Sequence, residues 1–144
     1  MINIDLSTMI DKPIKDVFAF VGNLNNMPKW NTTVIGVEQI TPGDVGVGTK
    51  FKSTGEMLGR NIEGEMQVTV YEPDTKFGIQ MNAGPALVNM TISFKTVGTG
   101  TEVSLNTQGQ TGGLFKLAEP VMRRRVKSIM EENLVSIRTQ LEKS

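Results

Sequence analysis

Four charged residues, Glu56, Arg60, Glu63 and Glu65, cluster in sequence around a turn in the middle of the chain. Paired carboxylates are common groups for general acid and base catalysis. Glu63 and Glu65, however, alternate with apolar residues in a strand-like segment and share their side with Gln67. This period of two predicts that the carboxylates lie on the solvated outer face of a strand, away from an interior site.

Other chemistry is restricted by the residue types that the sequence lacks. There is no His and no Cys, which excludes Ser-His and Cys-His nucleophile pairs, disulfides and Cys-based zinc sites. Carboxylates, lysines, hydroxyls and Tyr71 remain for catalysis. The segment GDVGVGTK, residues 43–50, lacks the spacing of a phosphate-binding Walker loop, and its glycines predict a turn between strands. We therefore expect no metal and no nucleotide cofactor.

The charge distribution argues against nucleic acid as a partner. Fifteen basic and fifteen acidic side chains give no net formal charge, so no net field attracts a polyanion. The run RRRVK at residues 123–127 has Glu119, Glu131 and Glu132 as helical neighbours, which indicates a solvated helix face. No segment of about 18 apolar residues occurs, and the N-terminus lacks the pattern of a secretion signal. These features predict a cytoplasmic protein without stable membrane insertion.

The first third of the chain changes its hydrophobic period. Apolar and polar residues alternate over residues 2–10, which predicts a strand. Residues 14–21 have helical spacing, with Pro13 suited to the first helical turn and Asp11 as a candidate cap. Residues 24–31 are polar and interrupted by a proline, so they hold at most a short second helix.

The remainder predicts six strands and one long helix. From residue 33 onward, strand-like segments are separated by Pro- and Gly-rich turns, which favours an antiparallel meander. A helix from about Gly113 to Glu142 carries one apolar stripe that needs a partner surface. The stripe comprises Met122, Val126, Ile129, Met130, Asn133, Leu134, Ile137 and Leu141. The predicted fold is a single α+β domain over residues 1–144. A curved antiparallel sheet of about seven strands wraps around the C-terminal helix, and two short helices follow strand one.

Several segments together carry a family resemblance. DKPIKDVFAFVGN, then NMPKWN, then GDVGVGTKF, and finally the amphipathic helix with its RRR run resemble the polyketide cyclase/dehydrase and lipid-transfer superfamily. These are the START-like, or SRPBCC, proteins with a helix-grip fold. The resemblance covers nearly the whole chain. It implies a hydrophobic cavity between sheet and long helix that holds lipids, polyketides or other flat apolar ligands, and in some members cyclises them.

Strand parity independently predicts an apolar surface facing the helix. Alternation puts three rows on this side: Met66, Val68 and Val70; Phe77, Ile79 and Met81; Met90, Ile92 and Phe94. Nine methionines are present, and thioethers suit a surface that adapts to different ligands. Ordinary core packing by the same residues is the alternative. The expected apolar pocket has the few hundred cubic ångströms typical of small-molecule sites.

Two further residues have both a structural and a ligand-binding interpretation. Trp30, the single tryptophan, is too large and apolar to be left in water. It is either a plug at the rim between helix and sheet or a ligand contact. Asn133 lies within the apolar stripe, where an amide needs a partner. It either orients a ligand carbonyl or satisfies the sheet or a buried water.

These patterns favour binding, and possible transport or sequestration, of a small hydrophobic molecule such as a lipid or polyketide-like compound. The alternatives are a cyclase or dehydratase acting on such a molecule, and a protein-interaction or chaperone-assisting domain. The absence of His and of an inward acid–base pair favours the binder. The predicted ligand-binding residues are Trp30, Phe51, Met66, Val68, Phe77, Met81, Met90, Ile92, Phe115, Met122, Met130 and Asn133.

The segment before the long helix has the composition of a lid. Gly112 and Gly113 provide a flexible joint, residues 114–119 are largely apolar, and Pro120 removes a backbone donor. We expect residues 112–120 to pack over the cavity mouth and to move when ligand enters. The alternative is that Pro120 merely kinks a permanently docked helix.

Overall fold

The computed structural model describes residues 2–57, 59–83, 86–110 and 119–143. The chain begins with β1 (Ile2–Ile10) and α1 (Ile14–Val21), followed by a 3-10 helix (Leu24–Asn26) and α2 (Met27–Trp30). Six strands and one helix follow: β2 (Val34–Gln39), β3 (Lys50–Met57), β4 (Arg60–Glu72), β5 (Lys76–Ala83), β6 (Ala86–Val97), β7 (Gly100–Gln110) and α3 (Glu119–Glu142). The predicted fold class and element order are confirmed.

The strands form one antiparallel sheet. Its order is β1-β7-β6-β5-β4-β3-β2, so β2 to β7 form the predicted meander and β1 pairs with the last strand. The predicted turn between β2 and β3 is present, and Gly43 and Gly48 adopt φ values of 98° and 95° within it. A left-handed backbone of this kind favours glycine, which explains the glycine-rich sequence at this turn.

The helix α3 runs alongside β1 in the same direction. Near its start, Arg123 Nη1 donates to the carbonyl oxygen of Asn3 at 3.4 Å. At its end, the backbone N–H of Asp11 donates to Glu142 Oε2 at 3.0 Å. The prediction that Asp11 caps α1 is wrong. Pro13 occupies the N-cap position, and no side chain caps this helix.

The alternation of β4 is interrupted by an irregularity. The register with β5 shifts between Val68 and Val70. Beyond the shift, Val70 lies opposite Gly78 and Tyr71 lies opposite Phe77. An added Cβ at Gly78 would approach Val70 Cβ to 3.2 Å, so this position favours glycine. The parity prediction for Val70 is wrong, because the extra residue places Tyr71 on the side of buried Phe77.

Aromatic side chains attach α1 to the sheet. The ring of Phe18 lies 5.2 Å from that of Phe94 and 5.8 Å from that of Tyr71, both in edge-to-face arrangements. Tyr71 is in turn 6.1 Å from Phe77. Edge-to-face geometry brings the positive ring edge against the negative ring face, which favours such pairs beyond their buried area. This end of the interior is consequently closed by packed rings.

Candidate functional site

We call the inner face the side of the sheet that carries the buried apolar residues. Phe51 lies opposite Met66, and Met66 lies opposite Met81. Ile79 lies opposite Met90. Because directly paired residues point to the same side, these side chains form one continuous apolar layer across four strands. The predicted inward rows are thus confirmed, apart from Val70.

Small residues follow this layer at one end of the sheet. Ser53 pairs with Gly64, and Gly55 pairs with Ile62 and Val34. Together with Met81 they line a hollow of about 130 Å³, whose rim also includes Thr33, Glu56 and Asn82. Glycine and serine side chains fill little space, which accounts for the hollow at these positions. Its volume is smaller than the predicted pocket of a few hundred cubic ångströms.

Gly64 has a second role in shaping the hollow. A Cβ at this position would lie 2.7 Å from the backbone oxygen of Asn82, closer than real contacts allow. Only glycine therefore permits β4 and β5 to approach in this way. The same Cβ would lie 3.5 Å from Ser53 Oγ, so the missing side chain of Gly64 also contributes to the space beside Ser53.

The hollow lies at the less covered end of the inner face. Phe77 and Ile79 are fully buried, whereas Met81 on the same side of β5 is half-buried. On β4, Met66 is fully buried and Ile62 is 41% exposed. Val88, opposite Met81, is half-buried too. Burial therefore decreases toward the hollow along the three central strands β4, β5 and β6.

Burial also changes along α3, from half-buried near its start to buried in its second half. Met130, Leu134 and Ile137 are buried, while Met122 and Val126 pack only partly against the core. The start of α3 lies beside Asn3, as the contact of Arg123 with that residue indicates. Its neighbour Ile2 lies opposite Gly109 in β7, which lies opposite Val88. The less covered half of α3 is thus at the same end of the sheet as the hollow.

The predicted site residues separate into three groups. Met81 lines the hollow and Met122 belongs to the half-buried part of α3. Phe115, together with residues 112–118 of the predicted lid, lies outside the described residues. The others are buried members of the structure: Trp30, Phe51, Met66, Val68, Phe77, Met90, Ile92, Met130 and Asn133. Their ligand contacts stay a prediction, and their burial agrees with the core-packing alternative.

Most residues of the hollow were not predicted from the sequence. Val34, Ser53, Gly55, Ile62 and Gly64 line it but were not among the predicted site residues. A signal was available, because Ser53 and Gly55 share the strand parity of Phe51, and Ile62 and Gly64 share that of Met66. Small residues at inward positions next to large ones indicate space on the inner face.

Asn133 has a defined partner. Its Oδ1 accepts a hydrogen bond of 2.9 Å from the backbone N–H of Thr32, just after α2. Trp30, two residues earlier, is 1% exposed. Its Nε1 is the only buried side-chain nitrogen or oxygen without a hydrogen-bond partner among the described residues. The two polar groups near α2 thus differ, since the Asn133 oxygen is bonded to protein and the Trp30 N–H is not.

The charged clusters lie at the surface, as predicted. Lys52 forms an ion pair of 3.4 Å with Glu63, and Lys50 one of 3.6 Å with Glu65, with all four side chains substantially exposed. Residues 123–125 and Lys127 are also exposed. Within the described ranges, no cluster of three or more Asp or Glu residues is arranged to hold a metal ion.

One carboxyl group has a shifted pKa. The backbone N–H of Asp11 lowers the pKa of Glu142 by hydrogen bonding to its carboxylate, and Arg138 at 3.3 Å lowers it further, against the opposing effect of desolvation. The side chains of Glu142 and Arg138 both line an open groove of about 610 Å³ between β1 and α3. Arg138, Glu131 and Glu142 line its helix side, so it suits an apolar ligand less well than the hollow does.

Comparison with protein families gives a match over nearly the whole chain. The family described as polyketide cyclase / dehydrase and lipid transport matches residues 1–142. No curated protein matches the sequence. In the part of the chain that the structure describes, no helix combines the length and apolar character needed to span a bilayer.

Solved structures share the fold at low sequence identity. The chain superposes on Ara h 8.0201 with a TM-score of 0.77 and 16% identity, covering 99% of this chain and 98% of that one. For the Zhui aromatase/cyclase from a Streptomyces species, the TM-score is 0.77 at 10% identity, with 97% and 93% covered. For the di-domain ARO/CYC BexL from the BE-7585A biosynthetic pathway, it is 0.82 at 14% identity, with 99% and 47% covered.

Proposed function

Because this chain belongs to the polyketide cyclase/dehydrase and lipid transport family, we propose that it binds a small hydrophobic molecule between the inner face of the sheet and α3. The ligand class is a lipid or a polyketide-like compound, held for transport or sequestration. Action in the cytoplasm, without metal, nucleotide or nucleic acid, is part of this proposal.

The observation that carries the proposal is the gradient of burial. At the end where Phe18, Tyr71 and Phe94 meet, the interior is closed by packed rings. At the other end, Met81 and Met122 are incompletely covered. Apolar side chains facing an interior gain free energy when water is removed from them. An apolar ligand at this end would complete their burial, and the hollow would form the sheet side of its site.

Shape and charge support the same site. The lining of the hollow is mainly apolar, with Val34, Ile62 and Met81 around the small residues Ser53 and Gly64. The ion-paired carboxylates of Glu63 and Glu65 project from β4 at exposed positions, away from this lining. Glu56, the one charged residue among those lining the hollow, is exposed at its rim. A neutral apolar molecule therefore suits the hollow better than an anion.

Native mass spectrometry of the freshly purified protein tests the proposal. We expect a copurified apolar molecule, or binding of added fatty acids or flat polycyclic compounds. The variant Ser53→Leu should fill the hollow and reduce binding. Thr54→Leu places the same change on the next residue, outside the hollow lining, and should leave binding intact. Equal binding by both variants would contradict the proposed location, and no binding by the wild type would contradict the function.

A cyclase or dehydratase acting on the bound molecule is the second candidate. One observation favours it: the shift in β4 brings Tyr71, whose phenol can donate a proton, to the side of Phe77 at the ring-closed end of the interior, so this candidate requires a ligand that extends from the hollow to that end. Mass analysis of a polyketide-like probe before and after incubation separates the two functions. An unchanged probe supports a binder, whereas loss of water that disappears in Tyr71→Phe supports the enzyme.

A further inference from the structure

The indole of Trp30 presents a buried donor with no acceptor. Its Nε1 makes no hydrogen bond, and the residue is 1% exposed. Indole nitrogen can only donate. Buried polar groups in folded proteins are nearly always paired, with protein, water or ligand. The unpaired N–H therefore requires a specific explanation.

The polar groups that follow Trp30 in the chain are already hydrogen-bonded to other partners. The backbone N–H of Asn31 donates to Met27 at 2.8 Å, and Asn31 Oδ1 accepts from both the backbone and the hydroxyl of Thr33. The backbone of Thr32 is bonded to Asn133. The residues directly after Trp30 are thus held to α2 and α3, and the indole itself is enclosed by the core.

Trp30 is not among the residues that line the hollow, but the elements next to it form part of the proposed ligand site. The helix α2 packs against both β2 and α3, the elements on either side of the proposed site. Thr33 and Val34, which follow α2, line the hollow. Trp30 lies at the junction of these elements, within the same apolar core cluster as Val34 and Met130.

We infer that Trp30 is a specificity-determining residue whose Nε1–H donates a hydrogen bond to an oxygen atom of the apolar ligand. This inference rests on the proposed function and narrows its ligand class. The preferred ligand is a flat, uncharged molecule with one acceptor oxygen, such as a ketone or an ether, rather than a pure hydrocarbon. An acceptor satisfies the N–H, whereas a hydrocarbon leaves it unpaired in a water-poor interior.

The pair fluorenone and fluorene tests this inference, because the two ring systems are similar in size and only the ketone accepts a hydrogen bond. Affinities are measured by equilibrium dialysis for the wild type and for two replacements. Trp30→Phe removes the donor. Incorporation of benzothienylalanine at position 30 replaces the indole N–H by sulfur with little change of shape, and the presence of one tryptophan makes the replacement specific.

We expect the wild type to bind fluorenone about tenfold more tightly than fluorene, as befits one buried hydrogen bond. The preference, measured as the ratio of the two affinities, should fall to within about twofold in both replaced proteins. In the wild type, the single indole N–H resonance should move downfield with fluorenone and exchange more slowly with solvent.

Two results would overturn the inference in different ways. Binding of both probes without preference, or a preference that persists after sulfur replaces the N–H, would refute the role of Trp30 alone and leave the proposed function standing. Failure of the wild type to bind either probe, together with no copurified apolar molecule, would refute the proposed function and this inference with it.

Discussion

The side-chain oxygen of Asn133, in the middle of α3, accepts a hydrogen bond of 2.9 Å from the backbone N–H of Thr32. The two residues are 101 positions apart, and the bond joins the long helix to the segment between α2 and β2. Asn133 is buried although it belongs to an apolar stripe. The Thr32 N–H is thus the protein partner that the structural interpretation of Asn133 requires.

Asn133→Ala is predicted to destabilise the protein by about 1–3 kcal/mol, because the Thr32 N–H loses its acceptor and a small void remains. Urea unfolding measures the change. Thr32→Ala is the matched control: it keeps the N–H and removes only the hydroxyl, whose bonds to Asn133 Oδ1 and Glu132 Oε2 are longer, at 3.4 Å and 3.3 Å, so the cost should be less than about 1 kcal/mol. If Asn133→Ala kept full stability but weakened ligand binding, the ligand-orienting interpretation of Asn133 would be correct instead.

Asn133 shows which features of the structure can be predicted from the sequence and which cannot. The apolar stripe of α3 follows from the helical period alone, and the need of its amide for a partner follows from burial. The identity of the partner does not, because Thr32 is distant in sequence and no local pattern connects the two. Long-range hydrogen bonds depend on how the elements dock, and docking is set by the whole fold.

The inward-facing strand residues were likewise predicted correctly at most positions and wrongly at one. Parity correctly placed Met66 and Ile92 on the inner face, since alternation persists wherever the register is regular. It failed at Val70, because a shifted register reverses the alternation and depends on the cross-strand neighbour Gly78 as much as on β4 itself. The hollow was predictable from the parity of Gly64, but its location relative to α3 required the structure.

Acid should weaken the contact between the end of α3 and the β1–α1 connection. The hydrogen bond from Asp11 lowers the folded-state pKa of Glu142. A lowered pKa contributes stability that is fully present above the ordinary glutamate pKa and is lost as pH falls through the folded-state pKa. We therefore predict that stability decreases in mildly to strongly acidic solution partly through Glu142.

Urea midpoints measured from neutral to strongly acidic pH check this prediction. Glu142→Gln keeps an acceptor oxygen but removes the titration, so its loss of stability in acid should be smaller than that of the wild type. Glu131→Gln, on the exposed side of the same helix, is the control for a general change in charge. Parallel pH curves for wild type and Glu142→Gln would show that the Asp11 contact does not contribute.

Gly64→Ala is predicted to destabilise the protein by about 1–3 kcal/mol, in the range of other overpacking changes. The added methyl would meet the backbone oxygen of Asn82 at 2.7 Å, and a strand backbone cannot move aside as a flexible side chain can. Thermal and urea unfolding measure the effect. Gly36→Ala is the control, because a Cβ there has no neighbour within 4 Å, and its stability should change by less than about 1 kcal/mol. Similar losses for both variants would mean that the approach of β4 to β5 is not the cause.

Phe18→Leu is predicted to destabilise the protein by about 1–3 kcal/mol, because leucine retains apolar volume but loses the edge-to-face contacts with Tyr71 and Phe94. Phe20→Leu makes the same change on the same helix at a half-buried position and should cost less than about 1 kcal/mol. Urea unfolding gives both values, and near-ultraviolet circular dichroism should lose tyrosine signal only in Phe18→Leu.

Because these rings close the end of the interior remote from the hollow, Phe18→Leu should leave the affinity for an apolar probe within about twofold of the wild type. A large loss of affinity in a variant that remains folded would move the ligand site toward Tyr71 and away from Ser53 and Gly64.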